Sequence, residues 1–287
     1  TPGCWTRSPD ELASPSRVRV SARPIVSTCR KQHMTRNERW EVGERPSLDV
    51  RVPVGTVEVY AGDAGVVLIT IDGTDVDDFE IFKTGDRISV RHPSRWGRRG
   101  RHSRLVAHVP IGSDVELNST SGEVRLIGRL GVVRIHTASG DIEVGNAARV
   151  NVTTASGDFS CGEIDGEVSV SSVSGDCVMR RVGGRLDATL TSGDLRVDLC
   201  DGDVTIGSTS GDVRVGQCAG SDIAVRSISG DVRVGLPSGI RVEADISTLS
   251  GRATLPEPAS ASDQGDRRPV RLQLKTVSGD IRVERTT

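Results

Sequence analysis

Large rings are almost missing from this chain: three Phe, three Trp and one Tyr stand among 287 residues. A core assembled around aromatic anchors is therefore excluded, and the interior must be thin and aliphatic. Lysine is scarce as well, supplying only Lys31, Lys83 and Lys275 of the 37 basic residues. Against 39 acidic residues the formal net charge is −2, so there is no field of one sign and no nucleic-acid partner is expected. No apolar run reaches the roughly 18 residues that suggest a membrane helix, and none follows a basic start as in a signal peptide. These absences predict a cytoplasmic protein with no membrane segment. The chain opens on Thr1, which suggests an incomplete or mis-started N-terminus, with Met34 as a candidate start.

The usual signatures of chemistry are lacking too. The five histidines, at 33, 92, 102, 108 and 136, form no H-E-x-x-H, and the six cysteines form no C-x-x-C. A nucleophile elbow, a P-loop and the dinucleotide glycine fingerprint are all missing. No catalytic, cofactor-binding or metal-binding residue is nominated, no cofactor is expected, and the chain reads as a non-enzyme.

What the chain does have is a period. Ser-Gly-Asp or a close variant returns with its glycine at Gly122, Gly140, Gly157, Gly175, Gly193, Gly211, Gly230, Gly251 and Gly279. Most steps are 17 to 19 residues, which is the mark of a stacked repeat. Counting each glycine as zero, apolar residues fall at +2, +4 and +7 and again at +11, +13 and +16. Phe159, Cys161, Ile164, Val168, Val170 and Val173 show the full set after Gly157. Alternation of this kind, closed by glycine turns, is a strand signature, and helical spacing is absent. The expected fold is an all-β, single-stranded parallel β-solenoid of about 18 residues and two strands per coil, each coil about 4.8 Å from the next.

Glycine at zero supplies a positive φ for a tight corner, and Asp at +1 is placed to accept a nearby amide in an Asx-type turn. Asp141, Asp158, Asp176, Asp194, Asp212, Asp231 and Asp280 form that column. Stacked carboxylates repel, and Arg at +3 (Arg125, Arg196, Arg214, Arg233, Arg282) is positioned to offset them. Cys161, Cys177, Cys200 and Cys218 fall on inward positions as core thiols. Cys200 and Cys218 share position +7 in adjacent coils, within disulfide range, and reduced thiols are expected there.

Three regions follow from the patterning. Residues 1–46, rich in Pro, Ser and Arg, read as a poorly ordered extension; 47–118 as an irregular β lead-in forming the N-terminal cap; 119–287 as the repeat solenoid. The run 92–104, with five arginines, two histidines and Trp96, reads as a mobile hairpin loop. The long step after Gly251 is taken up by a loop, after which the stack resumes at Val270 and closes on Ile281 and Val283.

The runs "SGDVRVG", "TSGDLRVD" and "SGDIRVE" resemble the DUF4097 group, bacterial proteins described as putative adhesins with β-strand repeats. The resemblance spans roughly residues 47–287 and implies a parallel β-solenoid with no known catalytic residues. The reading is a non-catalytic, adhesin-like scaffold or interaction protein with an unknown protein or surface partner. A monomer is favoured over an end-to-end dimer. Its alternatives are a carbohydrate-active β-helix enzyme, which would need paired outward carboxylates and an aromatic, and a calcium-binding β-roll using the Asp column. An ice-binding face built from Ser/Thr at −3 and Ser at −1 is a further option.

Overall fold

The computed structural model describes residues 34–62, 65–74, 76–92, 103–256 and 269–286. Residues 1–33 of the extension expected over 1–46, the body of the basic loop (93–102) and the insert 257–268 lie outside the described residues. Among the described residues, apart from one 3₁₀ turn at Val76–Asp78, every regular element is a strand.

The repeat coils run from β7 (Asp114–Ser121), β8 (Val124–Ser139) and β9 (Ile142–Ser156) through shorter paired strands. These are β10 (Phe159–Ile164), β11 (Val168–Ser174), β12 (Cys177–Val182), β13 (Leu186–Ser192), β14 (Leu195–Cys200), β15 (Val204–Ser210), β16 (Val213–Cys218), β17 (Asp222–Ser229) and β18 (Val232–Pro237). Each strand pairs in parallel with its equivalent one coil away. Leu195 lies beside Cys177 and Val213, and Val204 beside Leu186 and Ile223. Inward Val, Ile, Leu and Ala from the two faces fill the slot between them, and each fully buried aliphatic contributes roughly 1.5–3 kcal/mol.

Positions +2, +4, +7, +11 and +13 point inward, as Phe159, Cys161, Ile164, Val168 and Val170 show. Position +16, two residues before the next glycine, does not: Val173 is 53% exposed, and Ile228 and Val277, at the same distance before Gly230 and Gly279, are 55% and 47% exposed. The buried residue there is the hydroxyl at −3, including Thr137, Thr154, Ser172, Ser227 and Thr276. The strand keeps strict alternation from Val168 through Val170 to Ser172, which turns Val173 outward. A hydroxyl suits this inward corner because it donates to the carbonyl of residue −1, as Thr154 Oγ1 does to Ser156 O at 3.1 Å. The −3 and −1 side chains therefore do not share one surface, and the face required for ice binding is not formed.

The glycine corner is fixed twice over. Gly193 has φ 119°, and a Cβ there would sit 2.2 Å from the carbonyl oxygen of Gly175 in the coil below.

Both ends of the stack depart from chain order. At the C-terminal end β19 (Val242–Ser250) and β20 (Ala253–Thr254) are followed by β21 (Val270–Ser278) and β22 (Ile281–Thr286). The last coil in sequence does not close the stack, contrary to the sequence expectation. β21 lies between β17 and β19, and β22 between β18 and β20. Ile281 and Val283 are consequently interior, 0% and 3% exposed, while β19 carries the outer layer with Leu249 83% exposed.

The other end mirrors this. β1 (Met34–Glu41), β2 (Ser47–Gly62), β3 (Val66–Gly73), β4 (Glu80–Thr84), β5 (Arg87–Arg91) and β6 (Ser103–Pro110) precede the repeats. β2 crosses both faces as one strand, and lies between β5 and β7 on one face and between β6 and β8 on the other. Antiparallel β4 then pairs with β5, β3 with β6, and β1 with β3. Met34–Glu41, which lies within the extension expected over residues 1–46, is a strand paired with β3. Its Arg36, Glu38, Arg39 and Glu41 place charges along this edge, a feature that discourages pairing with another chain.

Candidate interaction surfaces

The aspartate column is the most regular surface feature, and its bonding differs from a local Asx turn. Each carboxylate accepts the backbone N–H of the next aspartate along the stack: Asp176 N to Asp158 Oδ1, Asp194 N to Asp176 Oδ1 and Asp212 N to Asp194 Oδ1, at 2.8–2.9 Å. The relay follows spatial order, so Asp280 N donates to Asp231 and Arg252 N to Asp280. Turn amides, more than guanidinium groups, hold these carboxylates. Of the +3 arginines only Arg233 reaches the column, at 3.8 Å from Asp231, while Arg196 turns to Asp198 at 2.9 Å. Among the described residues no group of three or more His, Cys, Asp or Glu is placed to hold a metal ion.

Cys161, Cys177, Cys200 and Cys218 are buried and free; Cys200 and Cys218 are register partners without a bridge. Burial pushes the Cys161 and Cys177 thiols up to about 12. The neighbouring Cys200, together with burial, pushes the Cys218 thiol up. These thiols behave as small apolar core residues.

The lead-in strands carry two outward clusters that periodicity could not reveal. On one face, Glu58 is 4% exposed and accepts from Arg104 Nη2 with both oxygens at 2.9 Å and from the Tyr60 hydroxyl at 3.0 Å. The Arg104 hydrogen bond holds the Glu58 carboxyl below its usual range, against the opposing effect of burial. The Tyr60 ring stacks on His108 at 5.2 Å. Leu68 and Ile127 flank that pair in register on the neighbouring strands. Tyr60 and Glu58 thus place an aromatic beside a carboxylate. Glycoside hydrolysis calls for a second carboxyl, one of the two kept protonated, and Glu58 is held ionised.

On the other face Asp49 is fully buried beneath three arginines, at 3.3 Å from Arg51, 3.0 Å from Arg87 and 3.9 Å from Arg91. Arg87 also reaches Glu116 at 3.1 Å. Beside this cluster runs a shallow groove of about 350 Å³ whose walls include Arg51, His92, Asn118 and His136. None of these residues belongs to a short motif, and they converge only through strand register.

No helix among the described residues is long and apolar enough to cross a membrane. The stack, its Ser-Gly-Asp corners and its parallel register define a repeat protein of the β-solenoid class. Within that class the chain belongs to the Toastrack DUF4097 family, whose sequence profile matches residues 46–284. No enzymatic family is indicated. Among solved structures it is similar to a "putative adhesin" from Bacteroides fragilis, at 16% identity and TM-score 0.43, covering 89% of this chain and 98% of that one. A "putative adhesin" from Parabacteroides distasonis is 11% identical, with TM-score 0.39 and coverage of 88% and 97%. A "putative lipid binding protein" from the same species is 11% identical, with TM-score 0.40 and coverage of 87% and 96%. No curated protein sequence is matched.

Proposed function

We propose that this protein is a non-catalytic scaffold that presents a rigid, regular surface to a partner, in the manner of an adhesin. The observation that carries this reading is the use to which its carboxylates are put. Along the repeats the aspartates accept turn amides, and in the lead-in Asp49 and Glu58 are each locked by arginine. A hydrolytic site needs one carboxyl free to attack or activate water and one able to deliver a proton. The calcium β-roll reading is also weakened, because every aspartate of the relay already has an amide on one oxygen.

Binding of the purified, labelled protein to intact cells and to immobilised surface glycans and proteins tests the proposal, with reducing-end release measured on the same glycans. Saturable binding without release supports the scaffold; turnover of any glycan overturns it in favour of an enzyme. Fractionation of source cells decides between the cytoplasm, expected from the sequence, and the surface, where an adhesin acts.

A further inference from the structure

The groove beside Asp49 differs in character from the rest of the surface. Along the repeats, outward arginines such as Arg180, Arg181 and Arg196 stand close to aspartates or glutamates, and the chain as a whole has slightly more acids than bases. Among the described residues that line this groove none is a carboxylate. Its walls instead offer the guanidinium of Arg51, the imidazoles of His92 and His136, the amide of Asn118 and the hydroxyls of Thr120 and Thr153.

Register explains how these groups meet. Arg51 lies beside Asn118, Asn118 beside His136, and His136 beside Thr153, so the four side chains form one outward column across adjacent parallel strands. At strand spacing the column extends about 14 Å. Because β2 is placed next to β7 by the reordering of coils, Arg51 reaches a neighbour 67 residues further along the chain.

The cationic end is preorganised. Asp49 takes the Nε of Arg51 at 3.3 Å, and the terminal nitrogens of Arg51 have no hydrogen-bond partner among the described residues. His92 is set by its backbone amide, which donates to Arg51 O at 3.0 Å, and by an edge-on contact with the Phe79 ring at 4.8 Å. A buried carboxylate that orients a half-exposed guanidinium leaves the outer donors of the fork aimed for bidentate capture of an oxyanion. The remaining groups are amide and hydroxyl, suited to a ligand rich in hydroxyls, and the volume lies at the low end of ligand sites.

We propose that this groove binds an acidic saccharide unit, its carboxylate against Arg51 and its hydroxyls against Asn118, His136 and the threonines. The proposal rests on the non-catalytic scaffold reading and gives that scaffold a ligand class. No covalent step is involved.

Isothermal titration of the full chain tests it, with tetragalacturonate, N-acetylneuraminic acid, inorganic phosphate and a neutral galactose tetramer as probes. At least one acidic sugar should bind about tenfold more tightly than the neutral tetramer, and phosphate should bind more weakly than that sugar. His136→Ala, on an exposed strand position, should weaken binding about fivefold, and Arg51→Ala about tenfold or more. Arg214→Ala, far along the stack, should leave affinity unchanged. Circular dichroism separates lost binding from lost folding in Arg51→Ala, and His136→Ala keeps the test independent of that variant. Failure of both acidic sugars to bind overturns the proposal, as does equal binding of phosphate, or full affinity in folded His136→Ala and Arg51→Ala. If the labelled protein still binds cell surfaces while the sugars fail, the groove assignment is wrong and the scaffold reading stands.

Discussion

Asp280 donates its backbone N–H to the Asp231 carboxylate at 2.9 Å across 49 residues of chain, although the coil bearing Asp245 and Gly251 comes between them in sequence. The last coil has been inserted beneath the one that precedes it, and the same exchange occurs where β2 enters the stack. An interior layer is therefore made by β21 and β22, while β19 and β20, which precede them in sequence, lie outside it.

Coil order is testable by cross-linking. Arg226 and Lys275 are register partners, and Lys275 separates Arg226 from Ser247. The double variant Arg226→Cys/Lys275→Cys should form a disulfide on mild oxidation, because neighbouring strands fall in bridging range. Arg226→Cys/Ser247→Cys should not, since two strand spacings, about 10 Å, exceed that range. Peptide mapping that finds the second bridge and not the first would restore chain-order stacking.

Burial of single positions gives a sharper check on register. Val213 is 1% exposed and Arg214, its neighbour, points to solvent. Val213→Asp should cost several kcal/mol, on the order of 3 or more, by burying an unpaired carboxyl, whereas Arg214→Ala should cost under about 0.5 kcal/mol. Equal melting temperatures for the two would contradict the register.

The corner glycines should be far less replaceable than glycines elsewhere. Gly193→Ala meets both a positive φ and the Gly175 carbonyl, and should cost roughly 2–4 kcal/mol. Gly207, with open space around its missing Cβ, should accept alanine within about 1 kcal/mol in either direction. Thermal denaturation of both variants measures the difference.

Calcium should leave stability unchanged. Asp194 and Asp212 each accept an amide from the next coil, so millimolar calcium or a chelator should not move the melting temperature by more than a degree or two. A rise on the order of ten degrees, well beyond the shift expected of a single weak site, would make the column a ligand set.

Buried thiols give the stability curve an alkaline limb. The folded pKa of Cys161 is raised to about 12 by burial, so the unfolded chain loses that proton first. Its contribution is fully present below the ordinary thiol pKa of about 8.5 and declines as pH rises from there toward about 12. Urea unfolding of Cys161→Val between those limits should show a shallower decline than the parent chain. Parallel slopes would remove Cys161 from the account.

Much of the architecture is determined by the sequence alone. The glycine period sets coil length, and alternation at Val168 and Val170 or Val213 and Val215 places the core, because a pleated strand must send alternate side chains to opposite sides. The same rule, carried two residues further, buries Ser172 and exposes Val173; hydrophobicity by itself misassigns that corner. Tertiary structure alone decided which coil lies on which. Every coil offers nearly the same apolar pair and the same unpaired amides, so Val225 could pack on Ile246 or Leu274 with little local difference, and only the folded stack selects Leu274. The partners of the aspartates and the meeting of Arg51 with Asn118 and His136 follow from that choice. They depend on neighbours across the ladder, about 4.8 Å away in space and far apart in the chain, where no short motif can record them.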